Sequence, residues 1–180
     1  MFPPGLEIQP ADAGCLGEVL AILDGAAAWL RSRAVEQWPD QFDADDVLTT
    51  ILQGDTWVVR LQGAAVGTIT VNRSDALWEA GEDAGYVHRL AVLRSAPGLG
   101  LRLLDWAAEV VRLRGGRFLR LDCVATNPRL RAYYEAAGFR HRGDVPVASS
   151  KPLGAGVGGT CVHSLYERRL DLSLPRRTGA

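Results

Sequence analysis

Lysine is almost missing: Lys151 is the only one in 180 residues, and the other basic side chains are arginines. Charge of one sign is missing as well, because acids and bases are spread along the chain and the formal net charge is −1. That removes the global electrostatic case for nucleic acid or an anionic membrane as partner. The lysine shortage, alongside frequent Ala and Gly, reflects a GC-rich coding bias more readily than an arginine-specific function. Cysteine is scarce: Cys15, Cys123 and Cys161 are odd in number, far apart and without a CxxC pair. Neither a disulfide framework nor a zinc site is indicated, and buried free thiols are expected. His88, His141 and His163 show no metal-ligand spacing, so no metal is expected. Met1-Phe2-Pro3-Pro4-Gly5 lacks a basic segment followed by an apolar run, and nowhere do about eighteen apolar residues occur together. A soluble, cytoplasmic protein is expected, and no internal repeat is visible.

What is present is 47% hydrophobic residues, enough for one sizeable core and one domain over residues 1–174, with 175–180 a disordered tail. Leu6 to Gln9 reads as a strand. Asp12 then caps a long helix with Leu16, Val19, Leu20, Leu23, Ala27 and Leu30 at helical spacing. Asp43 to Gln53 predicts a second helix, acidic at its start and ended by Gly54. Thr56 to Leu61 and Ala65 to Asn72 predict strands joined at Gln62-Gly63 as a hairpin. A polar, acidic connection over 74–84 leads to a strand over Gly85 to Val92. A helix from Gly98 to Leu113 stops at Gly115-Gly116, and Phe118 to Val124 is strand-like, so strand, helix and strand form a right-handed crossover with two parallel strands. Asn127-Pro128 opens a helix to Ala137, Gly138 ends it, and Phe139 starts a strand. The glycine-rich run 153–159 precedes the strand-like Thr160 to Arg169, not a helix, and reads as a hairpin loop instead of a phosphate loop.

Gly98 and Gly100 stand at the mouth of a helix that follows a strand. There the backbone can approach a ligand closely, and the N–H groups with the helix dipole suit an anion such as a pyrophosphate. Glycine spacing alone is equally consistent with a plain turn. A dinucleotide fingerprint is a further reading, with Asp122 as ribose partner. Against it, Leu103 occupies the third glycine position, and Leu93 to Pro97 separate the glycines from the strand.

Leu90-Ala91-Val92, then Ser95-Ala96-Pro97-Gly98-Leu99-Gly100 and a helix, resemble the Q/R-x-x-G-x-G/A motif of the GNAT acetyltransferases. Asn127, Tyr134, Gly138 and Phe139 match the family's asparagine, tyrosine and glycine-phenylalanine spacing. The resemblance is best over Gly85 to Arg140. Two positions depart from it: Ser95 replaces Gln or Arg, and Pro97 removes one N–H. The resemblance implies an α/β (α+β) single domain with a mixed central sheet, antiparallel N-terminal strands, a splayed parallel pair and about four flanking helices. It implies acetyl-CoA as cofactor, held by Leu90, Ala91, Val92, Gly98, Leu99, Gly100, Leu101, Arg102 and Asn127, with Arg94 able to supply the charge that Ser95 lacks.

The activity so implied is transfer of an acetyl group to a primary amine by direct attack on the thioester. A backbone N–H near Leu90 would stabilise the oxyanion, an effect on the order of 3 kcal/mol in other acyl transfers. Tyr134 stands where the family places the acid that protonates the leaving thiolate, and a phenol's ordinary pKa of about 10 keeps it protonated. The other reading of Tyr134 is a core tyrosine. His88, two residues before Leu90, is the first candidate for the base, since imidazole titrates near a pKa of about 6.5. Glu82, Asp83 and Asp122 are alternatives. Asp122, a carboxylate in an apolar strand, needs a role or a partner, and an arginine is the expected partner.

Acceptor recognition is expected from the N-terminal helices and the connection before Gly85, where Trp29, Glu36, Trp38, Asp40, Phe42, Asp43, Trp78, Glu79, Glu82 and Asp83 interleave aromatic rings with carboxylates. That mixture suits a cationic small molecule, an aminoglycoside-type antibiotic for example, through cation–π and ionic contacts. Trp29 and Trp38 read equally as core or hinge aromatics. Within the same fold the alternative acceptor is a peptide or protein N-terminus. A non-catalytic acyl-CoA-binding module and a dinucleotide-dependent oxidoreductase are the readings from other classes. The acyl length is open, and so is a homodimer.

Overall fold

The computed structural model describes residues 2–79, 83–153 and 157–171, the side chains of 149–153 and 157–159 excepted. Seven strands, β1 (Leu6–Pro10), β2 (Thr56–Leu61), β3 (Ala64–Asn72), β4 (Ala84–Val92), β5 (Phe118–Val124), β6 (Arg140–Leu153) and β7 (Val157–Arg169), form one sheet in the order β1-β2-β3-β4-β5-β7-β6. Only β4 and β5 run parallel; the other neighbours are antiparallel. The helices are α1 (Leu16–Arg31), α2 (Ala44–Leu52), α3 (Leu99–Leu113) and α4 (Pro128–Ala136). This is the expected single α/β domain with a mixed sheet and four helices.

Local chemistry sets the element ends. Asp12 accepts from Gly14 N at 2.8 Å and starts a 3-10 turn, Ala13–Cys15, that runs into α1. Asp43 accepts from Asp45 N and Asp46 N at the head of α2, satisfying donors that a helix start leaves open. Gln62 and Gly63 both take left-handed backbone, φ 52° and 82°, as a two-residue hairpin requires.

The sheet separates two apolar layers. Alternate residues of β2 point to opposite faces: Trp57 and Val59 join Leu99, Leu103, Leu104 and Ala107 of α3, whereas Val58 joins Val19, Ile22 and Leu23 of α1 and Val47 and Ile51 of α2. α4 lies on the α3 face, with Leu130, Tyr133 and Tyr134 against that layer. By length and a hydropathy of 1.5, Ala13–Arg31 could cross a membrane, a stretch that counting continuous apolar residues does not reveal. In this fold its stripe Val19, Ile22, Leu23 and Ala27 is buried within the protein.

The C-terminal hairpin differs from expectation. Pro152 pairs with Gly158 and Leu153 with Val157, so residues 157–159 belong to β7 and not to a loop. Residues 154–156, the rest of the expected loop, and the expected tail 175–180 lie outside the described residues.

Candidate active site at an open seam

β4 and β5 pair only through Ala84, Gly85 and Tyr86 against Phe118, Leu119 and Arg120. Beyond that point β4 stays with β3 as far as Val92, and β5 stays with β7 as far as Val124. The two strands therefore diverge and leave a seam between Leu90-Ala91-Val92 and the end of β5, as expected. On β4 the seam begins beside a bulge: Thr70 faces His88 but Thr68 faces Ala91, and Arg89 takes left-handed backbone at φ 50°. Bulges of this kind are common beside active sites, where they re-aim side chains. Arg89 is half-buried and reaches α2, donating to Thr50 Oγ1 at 3.2 Å. On the far side Val124 N donates to Gln37 Oε1 at 3.3 Å, so the segment between α1 and α2 touches the open edge of β5.

α3 starts beside this seam. Gly98 is its N-cap at φ 79°, and no side chain caps the helix. Nothing lies within 4 Å of a Cβ built on Gly98. The first-turn N–H groups of a fifteen-residue helix are thus left without a side-chain acceptor, which is the donor set a pyrophosphate uses. Gly98, Leu99, Gly100, Leu101 and Arg102 fit that group, and the unpaired edge of Leu90 to Val92 fits an amide-bearing arm. Arg94 does not extend toward this turn as a free charge: its guanidinium lies over the Trp29 ring at 4.7 Å. Asn127 caps α4 by accepting from Leu130 N at 3.1 Å, so its carbonyl positions the helix that carries Tyr134.

Tyr134 packs its ring against Tyr133, Phe139 and Tyr166 at centroid distances of 5.7–5.9 Å. It thus combines the expected core packing with a hydroxyl that has no hydrogen bond among the described residues. Burial first, then the negative charges of Cys123, Asp122 and Tyr133, push its pKa well above the ordinary phenol value. It remains a proton donor across the physiological range.

On the opposite face the structure assembles a group that was only half visible in the sequence. His88 Nε2 lies 3.1 Å from Asp75 Oδ2, and Asp122 Oδ2 lies 2.5 Å from His163 Nδ1. One donor atom from each of Asp75, His88 and Asp122 falls within 4.8 Å of the others. The partner of Asp122 is therefore a histidine and not the expected arginine. Arg120 instead pairs with Glu167 at 2.7 Å. Asp75 sits in the connection before β4 and offered no sequence signal beyond being an acid opposite an unpartnered histidine. His163 reaches Asp122 only because β7 inserts between β5 and β6.

The acceptor candidates disperse. Trp29 is exposed but covered by Arg33 and Arg94. Trp38 and Phe42 meet edge to face at 5.4 Å and pack on the α1–α2 layer. Asp40 pairs with Arg31 at 3.6 Å, while Glu36 and Glu79 are exposed. Trp78 lies on Arg120, 4.4 Å from ring centroid to guanidinium, and its buried Nε1 has no hydrogen-bond partner among the described residues. Asp83 is at the closed end of the β4–β5 pair, its carbonyl accepting from Arg117 N and Phe118 N. That end is remote from the seam, which takes Asp83 out of both the base and the acceptor sets. Glu82 lies outside the described residues.

Residues 23–139 match the family described as the acetyltransferase (GNAT) family. An uncharacterised N-acetyltransferase of Bacillus subtilis (strain 168), YesJ, is 28% identical over 137 residues, covering 69% of this chain and 76% of that protein. The crystal structure of a GNAT-family acetyltransferase from Listeria monocytogenes 4b F2365 superposes with a TM-score of 0.72 at 22% identity, covering 92% of this chain and 95% of that one. The structure of yncA from Salmonella typhimurium with its cofactor acetyl-CoA gives 0.65 at 17% identity, over 97% and 99%.

Proposed function

The chain belongs to the GNAT acetyltransferase family and is an acetyl-CoA-dependent N-acetyltransferase, and from that premise we propose that it acetylates a primary amine of a small cationic molecule, with His88 as base and Tyr134 as acid. The observation that supports this most directly is the position of His88. It stands where β4 leaves β5, with the carboxylates of Asp75 and Asp122 beside it.

Acetyl-CoA, when bound, supplies an activated acetyl thioester. The uncapped start of α3 and the free edge of Leu90 to Val92 are the parts of this chain suited to hold it. An N–H near Leu90 would polarise the thioester carbonyl, an effect on the order of 3 kcal/mol in other acyl transfers. His88 takes the proton from the acceptor ammonium, which is mostly charged near neutrality, and so frees the lone pair that forms the C–N bond. Tyr134 would give its proton to the thiolate as the C–S bond breaks, and the second proton shed by the new amide nitrogen would restore the phenol. Neither residue forms a covalent intermediate.

The carboxylates of Asp75 and Asp122 beside His88 favour a cationic acceptor. Aminoglycoside-type antibiotics, with several ammonium groups, belong to this class, and resistance would be the consequence of acting on them. A cytoplasmic location belongs to the same reading, since the reaction draws on acetyl-CoA. The test is thiol release from acetyl-CoA across a panel of amines. Release with small polycationic amines is expected; release with peptides alone would sink the acceptor class, and silence with acetyl-CoA still bound would leave a binding module. His88→Ala should remove the acidic limb of the pH–rate profile, and a limb that survives would rule out His88 as the base.

A further inference from the structure

Asp75 was not among the residues that family resemblance picks out, yet it is the best-anchored member of the seam cluster. Its side chain is 7% exposed. One carboxylate oxygen accepts from Leu77 N at 2.7 Å and the other faces His88 Nε2 at 3.1 Å. Burial opposes its charge, but the bonds from His88 and Leu77 N–H and the attraction of His88 outweigh burial and hold its pKa below the ordinary carboxylate value. The connection that carries it is pinned as well: Trp78 N donates to Asp75 O at 3.2 Å, and the Trp78 ring rests on Arg120, itself tied to Glu167.

We propose that Asp75 is the positioning residue of the acetyl transfer: it fixes the ring of His88 with Nε2 as donor, leaves Nδ1 as the proton acceptor, and stabilises the imidazolium formed when the acceptor amine is deprotonated. An ionised carboxylate can only accept, so Nε2 must carry a proton, and the lone pair of the neutral ring is then on Nδ1. A carboxylate behind a histidine base acts in this way in unrelated acyl transfers. Trp78 serves the same end by holding the Asp75 segment against β4. Asp122 faces the cluster from β5, but its carboxylate is engaged by His163, which leaves Asp75 as the group bonded to His88. The proposal rests on His88 being the base.

Asp75→Asn separates a chemical role from a structural one, because the single amide oxygen can keep the bond from Leu77 N–H while the charge is gone and an NH2 group, which can only donate, faces His88 Nε2 in place of the second carboxylate oxygen. We expect kcat to fall about 100-fold, the range general-base catalysis spans, with the Kd for acetyl-CoA and the Tm nearly unchanged. A kcat within about 3-fold of the wild type would overturn the proposal. In a His88→Gln background the same substitution should cost less than about 2-fold, since coupled residues are non-additive; a further loss of about 10-fold or more would show that Asp75 acts independently of His88. Should Asp75→Asn fail to fold, the ¹⁵N shifts of His88 in the wild type carry the test. Nε2 is expected to be the protonated nitrogen of the neutral ring, and protonated Nδ1 would overturn the assignment. That measurement does not depend on turnover. If His88→Ala keeps its acidic limb while the shifts come out as expected, the base reading has failed and the Asp75–His88 bond has not. Activity should also survive EDTA; a loss restored by a divalent cation would overturn the proposal by making Asp75, His88 and Asp122 a cation site.

Discussion

A β-carbon built on Gly100 would stand 2.5 Å from Tyr133 Oη. The start of α3 and the middle of α4 therefore meet at a point where only a glycine leaves room for the phenol. Gly100→Ala must push that hydroxyl aside, and because it is the free end of a side chain the cost in stability should be small, under about 1 kcal/mol. The cost should fall on binding, with the Kd for acetyl-CoA raised about 10-fold by isothermal titration. Gly98→Ala should do the reverse in one respect. Nothing crowds a Cβ there, but φ is 79°, so destabilisation of about 1–2 kcal/mol is expected from backbone strain alone. Denaturant melts of the two variants distinguish the effects.

Tyr134→Phe should keep the ring packing against Tyr133, Phe139 and Tyr166 and lose only the proton. We expect kcat to fall about 100-fold, as for general acids elsewhere, with the Kd for acetyl-CoA unchanged. Unaltered turnover would remove Tyr134 as the acid.

The four tyrosines share a property that a spectrophotometric titration can read. Tyr86, Tyr133, Tyr134 and Tyr166 all have their pKa values raised, with burial the largest cause in each. A phenol whose folded pKa lies above its unfolded value binds its proton more tightly in the native state. Stability is then fully present below pH 10, the ordinary value, and is lost as the pH rises above it. Absorbance at 295 nm should stay flat to about pH 10 and then rise together with loss of circular dichroism. Phenolate absorbance that rises while the fold is intact would contradict the burial described above.

The thiols should separate by rate. Cys123 is fully buried, and burial, then Asp122, push its pKa up to about 12; Cys15 is buried and Cys161 half-buried. Because the thiolate is the reactive species, Cys161 should react first with Ellman's reagent in the native protein. The other two should follow only on unfolding. Fast labelling of Cys123, identified by mass spectrometry, would count against its placement beneath α4.

Much of this architecture was legible because it is local. β2 and β5 fall on the residues that alternation and β-branching indicate, α2 and α4 begin behind the capping side chains of Asp43 and Asn127, Asp12 caps the turn that leads into α1, and α3 starts at the glycine turn of Gly98. Tyr134 and the α3 turn could be found because their spacing along the chain is short. The rest depends on pairings that sequence distance hides. Asp75 meets His88 across a connection that reads as a polar link. His163 meets Asp122 only through the placement of β7 between β5 and β6. Trp78 looked like a recognition aromatic, and its stacking on Arg120 follows from the same long-range packing. The aromatic and acidic residues of the α1–α2 segment were a composition, and composition does not say which rings are already occupied.

The left-handed residue at Arg89 has a consequence for how this protein can change. Between Thr70 and Thr68 the partner strand advances two residues while β4 advances three, from His88 to Ala91. The bulge thus sets the phase of β4: upstream of it the strand places His88 beside Asp75 and Asp122, and downstream the edge of Leu90 to Val92 is left unpaired with β5. A substitution at Arg89 alters one side chain, but deletion of a single residue between 88 and 91 would turn every following side chain to the opposite face. What the fold requires between His88 and the open edge is therefore a count of residues more than their identity.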